Sequence, residues 1–265
     1  MKKPQKIFKQ DGCIKLENIF NKSELNDLVN ALKVNIVNIG FKSNKAFFRK
    51  NIHKLLAELY KKDKKQFYKF YHSIQNNYQV YKLATNQKLM SVVSNLLNIN
   101  KESIFLGDLT MRVDNPGTST AAIGWHQEST YYSEIKNFEK SILVWFPIID
   151  IPISGGGLEY IPGSHKKKNP KFKFDSKKKD YVYPEINKIL KEKKKTFSGK
   201  AGSILACNFN LFHKSSVNLT NRFRLSGAFR YFSTQSRDVT HVKKIRLNKN
   251  FIKYRLKEYL TQSSQ

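Results

Sequence analysis

The chain has 265 residues, 40% hydrophobic and 13% aromatic, so it can bury a large core and is not disordered as a whole. Lys and Arg number 49 against 20 Asp and Glu, giving a net charge of 49 − 20 = +29, which favours polyanionic partners. No run approaches the roughly 20 apolar residues that cross a bilayer, and Cys13 and Cys207 do not make a disulfide framework, so we expect no membrane insertion and a reducing, cytoplasmic setting.

Helices are predicted for most of residues 1–100, after a short extended segment at Cys13–Leu16. Ser23 is placed to cap the first of them. Its apolar positions repeat at helical spacing and are Leu25, Leu28, Val29 and Leu32. A second helical pattern covers 55–71, with a break near 61–65, and a third covers 89–97. We expect these helices to pack on a β-barrel.

The pattern changes to short strands from about residue 104. The strand-like runs are IFLGDLTMRV, SILVWFPIIDI, LEYI, SILACNFNLF and RLSGAFRYF. They predict a mainly β fold with surrounding helices, its core at 101–235 a double-stranded β-helix of the jelly-roll, cupin-like type. A lysine-rich insert at 166–200 is predicted to be a solvated loop or, as the alternative, a lid over the substrate. A basic amphipathic helix is predicted at 236–265, and we expect residues 1–265 to form a single domain.

The tripeptide His126-Gln127-Glu128 lies between two strand-like runs. Residues i and i+2 of an extended backbone project to the same face, so the imidazole and the carboxylate converge. His213 stands at the end of the run SILACNFNLF, and distant strands face each other across a jelly roll. Two histidines and one carboxylate leave metal positions open for co-substrate and O₂, as non-haem Fe(II) oxygenases require. Such a pattern is common by chance, so structural histidines are the alternative.

Ten residues separate His213 from Arg224, and Ser226 follows two positions later. On a strand Arg224 and Ser226 share a face, so they can hold one carboxylate together, the guanidinium through two N–H groups. The distal carboxylate of a dicarboxylate that chelates the metal would lie there. An exposed arginine on an edge strand is the alternative.

These motifs resemble the phytanoyl-CoA dioxygenase-like (PhyH) family of Fe(II)- and 2-oxoglutarate-dependent oxygenases. The resemblance covers most of the chain, from DGCIKLENIFNKSEL through GWHQE, LVWFPIIDI and GGGLEYIPGSHK to GSILACNFNLFHKSS and FRLSGAFRYF. It implies that His126, Glu128 and His213 hold Fe(II). It also implies that Arg224 binds the distal carboxylate of 2-oxoglutarate.

Further site residues follow from the same resemblance. Ser215, two after the second histidine, and Trp145, in the strand LVWFP, match positions that line the co-substrate pocket. Gln127 matches a position that is often Gln, although strand alternation points it away from the metal.

Arg112 is assigned to an anionic substrate from its charge and its place on the strand leading towards the site.

Glu128 departs from the family pattern, which usually has Asp at this position. Glutamate has one methylene more and can still ligate iron, with the metal slightly displaced. Halogenases of the same fold have a small residue there, which leaves room for a halide. Glu128 therefore favours oxygenation, and hydroxylation is the expected outcome.

The resemblance implies that O₂ decarboxylates 2-oxoglutarate to succinate and CO₂ and that an aliphatic C–H is hydroxylated. The charge indicates a small anionic substrate, phosphorylated, nucleotide-linked or carrier-thioester-linked, but a general lysine bias explains the charge equally well.

A second interpretation is a nucleic-acid dealkylating oxygenase, because Arg224 and Arg230 have the spacing of those enzymes; the short gap after His213 disfavours it. A third is a non-catalytic binding barrel, which the presence of every ligand disfavours.

Overall fold

The computed structural model describes residues 3–39, 51–117, 123–132, 138–167, 171–175 and 180–233, and it combines helices with antiparallel sheets. Its helices are α1 (Lys3–Asp11), α2 (Lys22–Asn38), α3 (Ile52–Lys62), α4 (Lys64–Ser73), α5 (Tyr78–Ala84), α6 (Gln87–Leu97) and α7 (Ile186–Ile189). Its strands are β1 (Cys13–Leu16), β2 (Ile104–Asp114), β3 (Ser141–Pro147), β4 (Leu158–Tyr160), β5 (Lys173–Asp175), β6 (Asp180–Val182), β7 (Lys195–Phe197), β8 (Ile204–Asn208), β9 (His213–Ser215) and β10 (Arg224–Ser233).

The start of α2 corrects the predicted cap. Asn21, not Ser23, precedes the helix with an extended backbone, and its side chain accepts a hydrogen bond from the backbone N–H of Glu24. The Glu24 carboxylate accepts in return from the backbone N–H of Asn21, which completes a capping box. Ser23 lies inside the first turn, where a side chain can no longer cap the helix from outside.

The break predicted near 61–65 is confirmed at Asp63. Its backbone N–H closes the last turn of α3 by donating to the carbonyl of Leu59, and its carboxylate caps α4 by accepting from the N–H of Gln66. One residue therefore ends one helix and starts the next, with an extended backbone between them (φ −154°, ψ 94°).

Two antiparallel sheets position the site. The larger has five strands in the order β1-β8-β3-β10-β2, and the smaller has three in the order β7-β4-β9; β5 and β6 form a separate hairpin. β10 is paired on both sides, with β2 and with β3, so its side chains are fixed in register across the sheet.

The run SILACNFNLF is not a single strand, which corrects the predicted position of His213. β8 ends at Asn208, and the chain turns there because the N–H of Leu211 donates to the Asn208 carbonyl and the N–H of Asn210 donates to the Asn208 side chain. His213 then begins β9 in the smaller sheet. The turn moves the histidine from the larger sheet to the sheet opposite it.

Alternation along β10 separates the two faces of the larger sheet. Leu225 and Phe229 belong to an apolar cluster shared with the helices. Ala228 points the other way, into a cluster that contains residues of the smaller sheet. The helices thus cover the outer face, and the two sheets enclose a space between them. Arg224 and Ser226 lie on the same face of β10 as Ala228, so they face this space.

The lysine-rich insert is partly built into the fold. Its described residues include the hairpin of β5 and β6, the short helix α7 and the edge strand β7, so the prediction of a plain loop is wrong for the end of the insert. The amphipathic helix predicted at 236–265 lies outside the described residues.

Among the described residues, every helix is too short or too polar to cross a membrane.

Candidate metal centre

Two backbone hydrogen bonds join His126 to His213. The N–H of His126 donates to the carbonyl of His213 (3.0 Å), and the N–H of His213 donates to the carbonyl of His126 (3.1 Å), which makes an antiparallel bridge beside β9. The imidazole centroids lie 4.2 Å apart. Gln127 is extended (φ −117°, ψ 137°), so Glu128, at the start of a 3-10 turn, returns to the histidine side. The predicted convergence of positions i and i+2 is present.

The three predicted metal-binding side chains meet in one buried cluster. Glu128 Oε1 lies 3.8 Å from His126 Nε2 and 3.5 Å from His213 Nε2, and one ligand atom from each residue fits within 4.8 Å of the others. Ligand atoms about 2.1 Å from a shared metal ion stand about 3.0 Å apart in octahedral and about 3.4 Å apart in tetrahedral geometry. A small inward movement therefore brings all three onto one ion, and the donor set of two imidazoles and a carboxylate suits iron.

Both histidine rings present the same nitrogen to the cluster. His126 Nδ1 lies 2.7 Å from the carbonyl oxygen of Gly124, and His213 Nδ1 lies 2.9 Å from that of Leu211. Because a carbonyl oxygen only accepts, each Nδ1 carries the proton and each Nε2 keeps its lone pair for a metal. Burial and the neighbouring His126 lower the pKa of His213, which favours the neutral, ligating form.

Arg230 holds the carboxylate of Glu128. Its Nε donates to Oε2 (2.8 Å) and its Nη2 to Oε1 (3.1 Å), a two-point ion pair in which Glu128 is buried. Burial alone would raise the pKa of Glu128, but the positive charge of Arg230 holds it well below its usual range. The carboxylate is therefore ionised. Sequence reasoning did not assign Arg230 to the metal site, although its even spacing from Arg224 put both on one face of β10.

Arg224 is buried and engaged by other parts of the chain. Nε and Nη2 both contact Oδ2 of Asp114 (2.8 and 2.6 Å), and Nη1 donates to the carbonyls of Gly156 and Ser216. Among the described residues, four contacts leave one of the five guanidinium N–H groups for a further acceptor. The expected two-point grip on a co-substrate carboxylate is therefore corrected, because Asp114 already occupies that edge of the guanidinium.

The glycine run gives Arg224 its room. Gly156 adopts a positive φ of 80°, and a Cβ added there would lie 3.0 Å from Arg224 Nη1 and 2.8 Å from the carbonyl oxygen of Ser216. A larger residue at position 156 would both strain the backbone and press against the Arg224 guanidinium.

Asp114 links two arginines on adjacent strands. Arg112 Nη2 donates to Oδ1 of Asp114 (2.8 Å), while Arg224 takes Oδ2, so two guanidinium groups share one carboxylate. Burial alone would raise the pKa of Asp114, but Arg112 and Arg224 hold it below its usual range. Ser226 lies opposite Arg112 in the strand register, and its hydroxyl is fully buried without a hydrogen-bond partner among the described residues. A donor of this kind can serve an acceptor other than those the described residues supply.

The remaining predicted residues divide into two groups. Trp145 is buried between the sheets, edge-on to Phe197 at 5.6 Å, and Ser215 lies two residues after His213 on the same face of β9. Gln127 is turned away from the cluster, because its side chain donates to the carbonyl of Asn210 and its backbone N–H to the hydroxyl of Tyr183. Gln127 thus braces the backbone between the ligands, as strand alternation indicated.

The comparison with known families concerns the sequence as a whole. The sequence matches the phytanoyl-CoA dioxygenase (PhyH) family over residues 8–226. The chain belongs to this family. A search of the curated proteins finds no match. The match runs from the end of α1 through the first three residues of β10, so every predicted site residue of this PhyH protein lies within it.

Solved structures similar to this PhyH protein include two non-haem, alpha ketoglutarate-dependent enzymes from nogalamycin biosynthesis. The carbocyclase SnoK from nogalamycin biosynthesis has a TM-score of 0.62 at 12% identity over 94% of this chain and 93% of its own. The epimerase SnoN, solved with Fe³⁺, alpha ketoglutarate and nogalamycin RO, has a TM-score of 0.61 at 13% identity over 87% and 82%. EvdO2 from Micromonospora carbonacea, complexed with 2-oxoglutarate, has a TM-score of 0.59 at 14% identity over 88% and 91%. At these identities the likeness concerns the fold.

Proposed function

We propose that this PhyH protein is an Fe(II)- and 2-oxoglutarate-dependent oxygenase with a jelly-roll core, its iron held by His126, Glu128 and His213. The observation that carries the proposal is the orientation of the ligands: both Nδ1 atoms face backbone carbonyls, and both Nε2 lone pairs face the Glu128 carboxylate. Structural histidines have no need of this shared orientation. Membership of the PhyH family supports the same conclusion.

The polar face of β2 and β10 is proposed to bind 2-oxoglutarate. Its distal carboxylate would accept from the Ser226 hydroxyl and from the remaining N–H of Arg224, with Arg112 adding positive charge nearby. Trp145 and Ser215 would line the path from this carboxylate to the metal. Bound iron and 2-oxoglutarate would supply the oxidant from O₂, with succinate and CO₂ as co-products. The protein keeps both molecules aligned and excludes water between its sheets.

The reaction proposed is hydroxylation of an aliphatic C–H in a small anionic metabolite. SnoN is an epimerase and SnoK a carbocyclase, so a fold of this kind is used for more than one outcome. Glu128 fills the position where a halide would need a small residue, and this favours transfer of oxygen. The net charge of +29 supports an anionic substrate.

An anaerobic titration with Fe(II) and 2-oxoglutarate tests the site. We expect the weak visible charge-transfer band of the iron–2-oxoglutarate chelate to appear in the wild type and to be lost in His126→Ala. Arg224→Ala should require a higher 2-oxoglutarate concentration to reach the same band. The matched control is His72→Ala, which removes an exposed histidine of α4 and should leave the band unchanged. A wild type without the band would refute the proposal.

A further inference from the structure

Arg230 is a fixed cation beside the proposed metal position. Besides its two bonds to Glu128, its Nη1 donates to the hydroxyl of Thr110 (3.0 Å) and to the carbonyl of Ala228 (3.2 Å). The side chain is only 14% exposed. A guanidinium stays protonated in proteins, so Arg230 carries a permanent positive charge at this position.

The charges at the metal position follow from this contact. Glu128 contributes −1, Arg230 contributes +1, and both histidines are neutral when they ligate, so the ligand cluster with its arginine has no net charge. A divalent ion adds +2 to a buried site that holds no excess negative charge. The dianion 2-oxoglutarate brings −2 and restores neutrality. Among the described residues, Asp108 is a further carboxylate near Arg230; it accepts a hydrogen bond from the Tyr132 hydroxyl and is left in place when the arginine is substituted.

We infer that Arg230 makes metal binding depend on 2-oxoglutarate, by cancelling the charge of Glu128 that would otherwise retain the metal alone. The inference rests on the proposed function and deepens it. Charges a few ångströms apart in a buried site interact strongly. The coupling is reciprocal, since 2-oxoglutarate must raise the affinity for the metal by the factor by which the metal raises the affinity for 2-oxoglutarate.

A purely mechanical role for Arg230 predicts the opposite sign. If the arginine only positioned the Glu128 carboxylate, its removal would weaken metal binding to a similar extent with and without 2-oxoglutarate. If it cancels charge, its removal strengthens binding of the metal alone and reduces the gain that 2-oxoglutarate gives. The change in affinity for the metal alone therefore has opposite signs under the two roles, and it can be measured without an activity assay.

Titration with Co(II), followed by its visible absorption, measures this directly. The dissociation constant is determined without and with saturating 2-oxoglutarate in the wild type, in Arg230→Gln and in Arg230→Lys. In Arg230→Gln we expect Co(II) alone to bind more tightly and the enhancement by 2-oxoglutarate to fall by about 10-fold, within the usual range of coupling between sites. Arg230→Lys keeps the charge and should keep the enhancement.

Arg222→Gln is the matched control, because it removes an exposed arginine and should leave both constants unchanged. An unchanged enhancement in Arg230→Gln, or weaker binding of Co(II) alone, overturns the inference while the proposed function stands. If Arg230→Gln does not fold by circular dichroism, Arg230→Lys decides: wild-type affinity for Co(II) alone together with wild-type enhancement supports the inference, and weaker binding of Co(II) alone or a lost enhancement overturns it. A wild type that binds no Co(II) even with 2-oxoglutarate refutes the proposed function itself.

Discussion

At the scale of single residues, the buried hydroxyl of Ser226 leads to the most specific prediction. Its side chain is fully buried, yet its hydroxyl has no partner among the described residues. Leaving a buried hydroxyl unsatisfied costs about 1–3 kcal/mol. The described fold gives this hydroxyl no partner, and the proposed carboxylate beside Arg112 and Arg224 would supply one.

We predict that Ser226→Ala raises the KM for 2-oxoglutarate several-fold while leaving the free energy of unfolding unchanged or slightly higher. The substitution would remove a hydrogen bond to the co-substrate, and it would break no hydrogen bond within the described fold. Steady-state kinetics and urea denaturation measure the two quantities.

Ser203→Ala is the matched control for this serine. Ser203 is also buried, but its hydroxyl donates to the carbonyl of Lys200, so its removal should cost about 1 kcal/mol of stability and leave the KM unchanged. A Ser226→Ala variant that loses stability and keeps its KM would contradict the assigned role.

Two of the three proposed ligands could be predicted from the sequence because their spacing is local. His126 and Glu128 stand two apart, and one extended residue between them is enough to align them. The partners of the two arginines could not be predicted this way. Asp114 reaches Arg224 across 110 positions and Glu128 reaches Arg230 across 102, contacts that depend on strand register.

At the scale of elements, the pairing of β2 with β10 carries buried charge. Arg224 lies opposite Asp114 and Ser226 opposite Arg112, so the Arg224–Asp114 ion pair crosses the two strands where they face the site. Removing one partner of a buried ion pair leaves an uncompensated charge. The same contacts therefore hold the strands together and orient Arg224.

We predict that Asp114→Asn lowers the free energy of unfolding by about 3 kcal/mol at neutral pH. Because the arginines hold the pKa of Asp114 below its usual range, its contribution is complete above the unfolded pKa of about 3.9 and is lost as the pH falls through the folded value. The difference between wild type and variant should shrink in acid. Urea denaturation at pH 7 and at successively lower pH checks this.

Asp27→Asn provides the comparison for this carboxylate. Asp27 is half-exposed and 3.9 Å from Lys82, so its loss should change stability by less than about 1 kcal/mol at either pH. An Asp114→Asn deficit that is the same at every pH would show that packing, and not charge, is responsible.

Element boundaries followed from the sequence where a local signal sets them. The strand at Cys13–Leu16 and the helix break at Asp63 are examples, and both were predicted. The division of SILACNFNLF into β8 and β9 was not, because its apolar residues continue through the turn. Only the Asn208 hydrogen bonds and the pairing of His213 with His126 decide that boundary.

At the scale of the whole molecule, the helices and the larger sheet form one support for the site. The outer face of the sheet is covered by the helical cluster, so the proposed site lies on the inner face, towards the smaller sheet. The chain as a whole carries a net charge of +29, whereas charged side chains at the proposed site are paired, Glu128 with Arg230 and Asp114 with Arg224. We therefore expect long-range attraction of anions and recognition at the proposed metal position to be separate properties.

We predict that a phosphorylated, nucleotide-linked or carrier-thioester-linked metabolite accelerates conversion of 2-oxoglutarate to succinate by the iron-loaded protein. Because the attraction is electrostatic, other soluble anions should compete, and both effects should fade as salt rises from about 50 to about 200 mM. Succinate formation measured across a panel of such compounds tests the prediction. Stimulation by single-stranded oligonucleotides alone would favour the nucleic-acid alternative, and rates insensitive to salt would favour compositional bias.

The backbone bridge between His126 and His213 has a consequence for metal exchange. Each ligand's amide hydrogen is bonded to the other ligand's carbonyl, so the spacing of the two imidazoles is set by the chain before any ion arrives. In zinc fingers the metal organises its own ligands, and a chelator unfolds the domain. In this PhyH protein the opposite should hold: these two amides stay protected from hydrogen exchange when the metal is removed, and the empty protein keeps a site that can be reloaded without refolding.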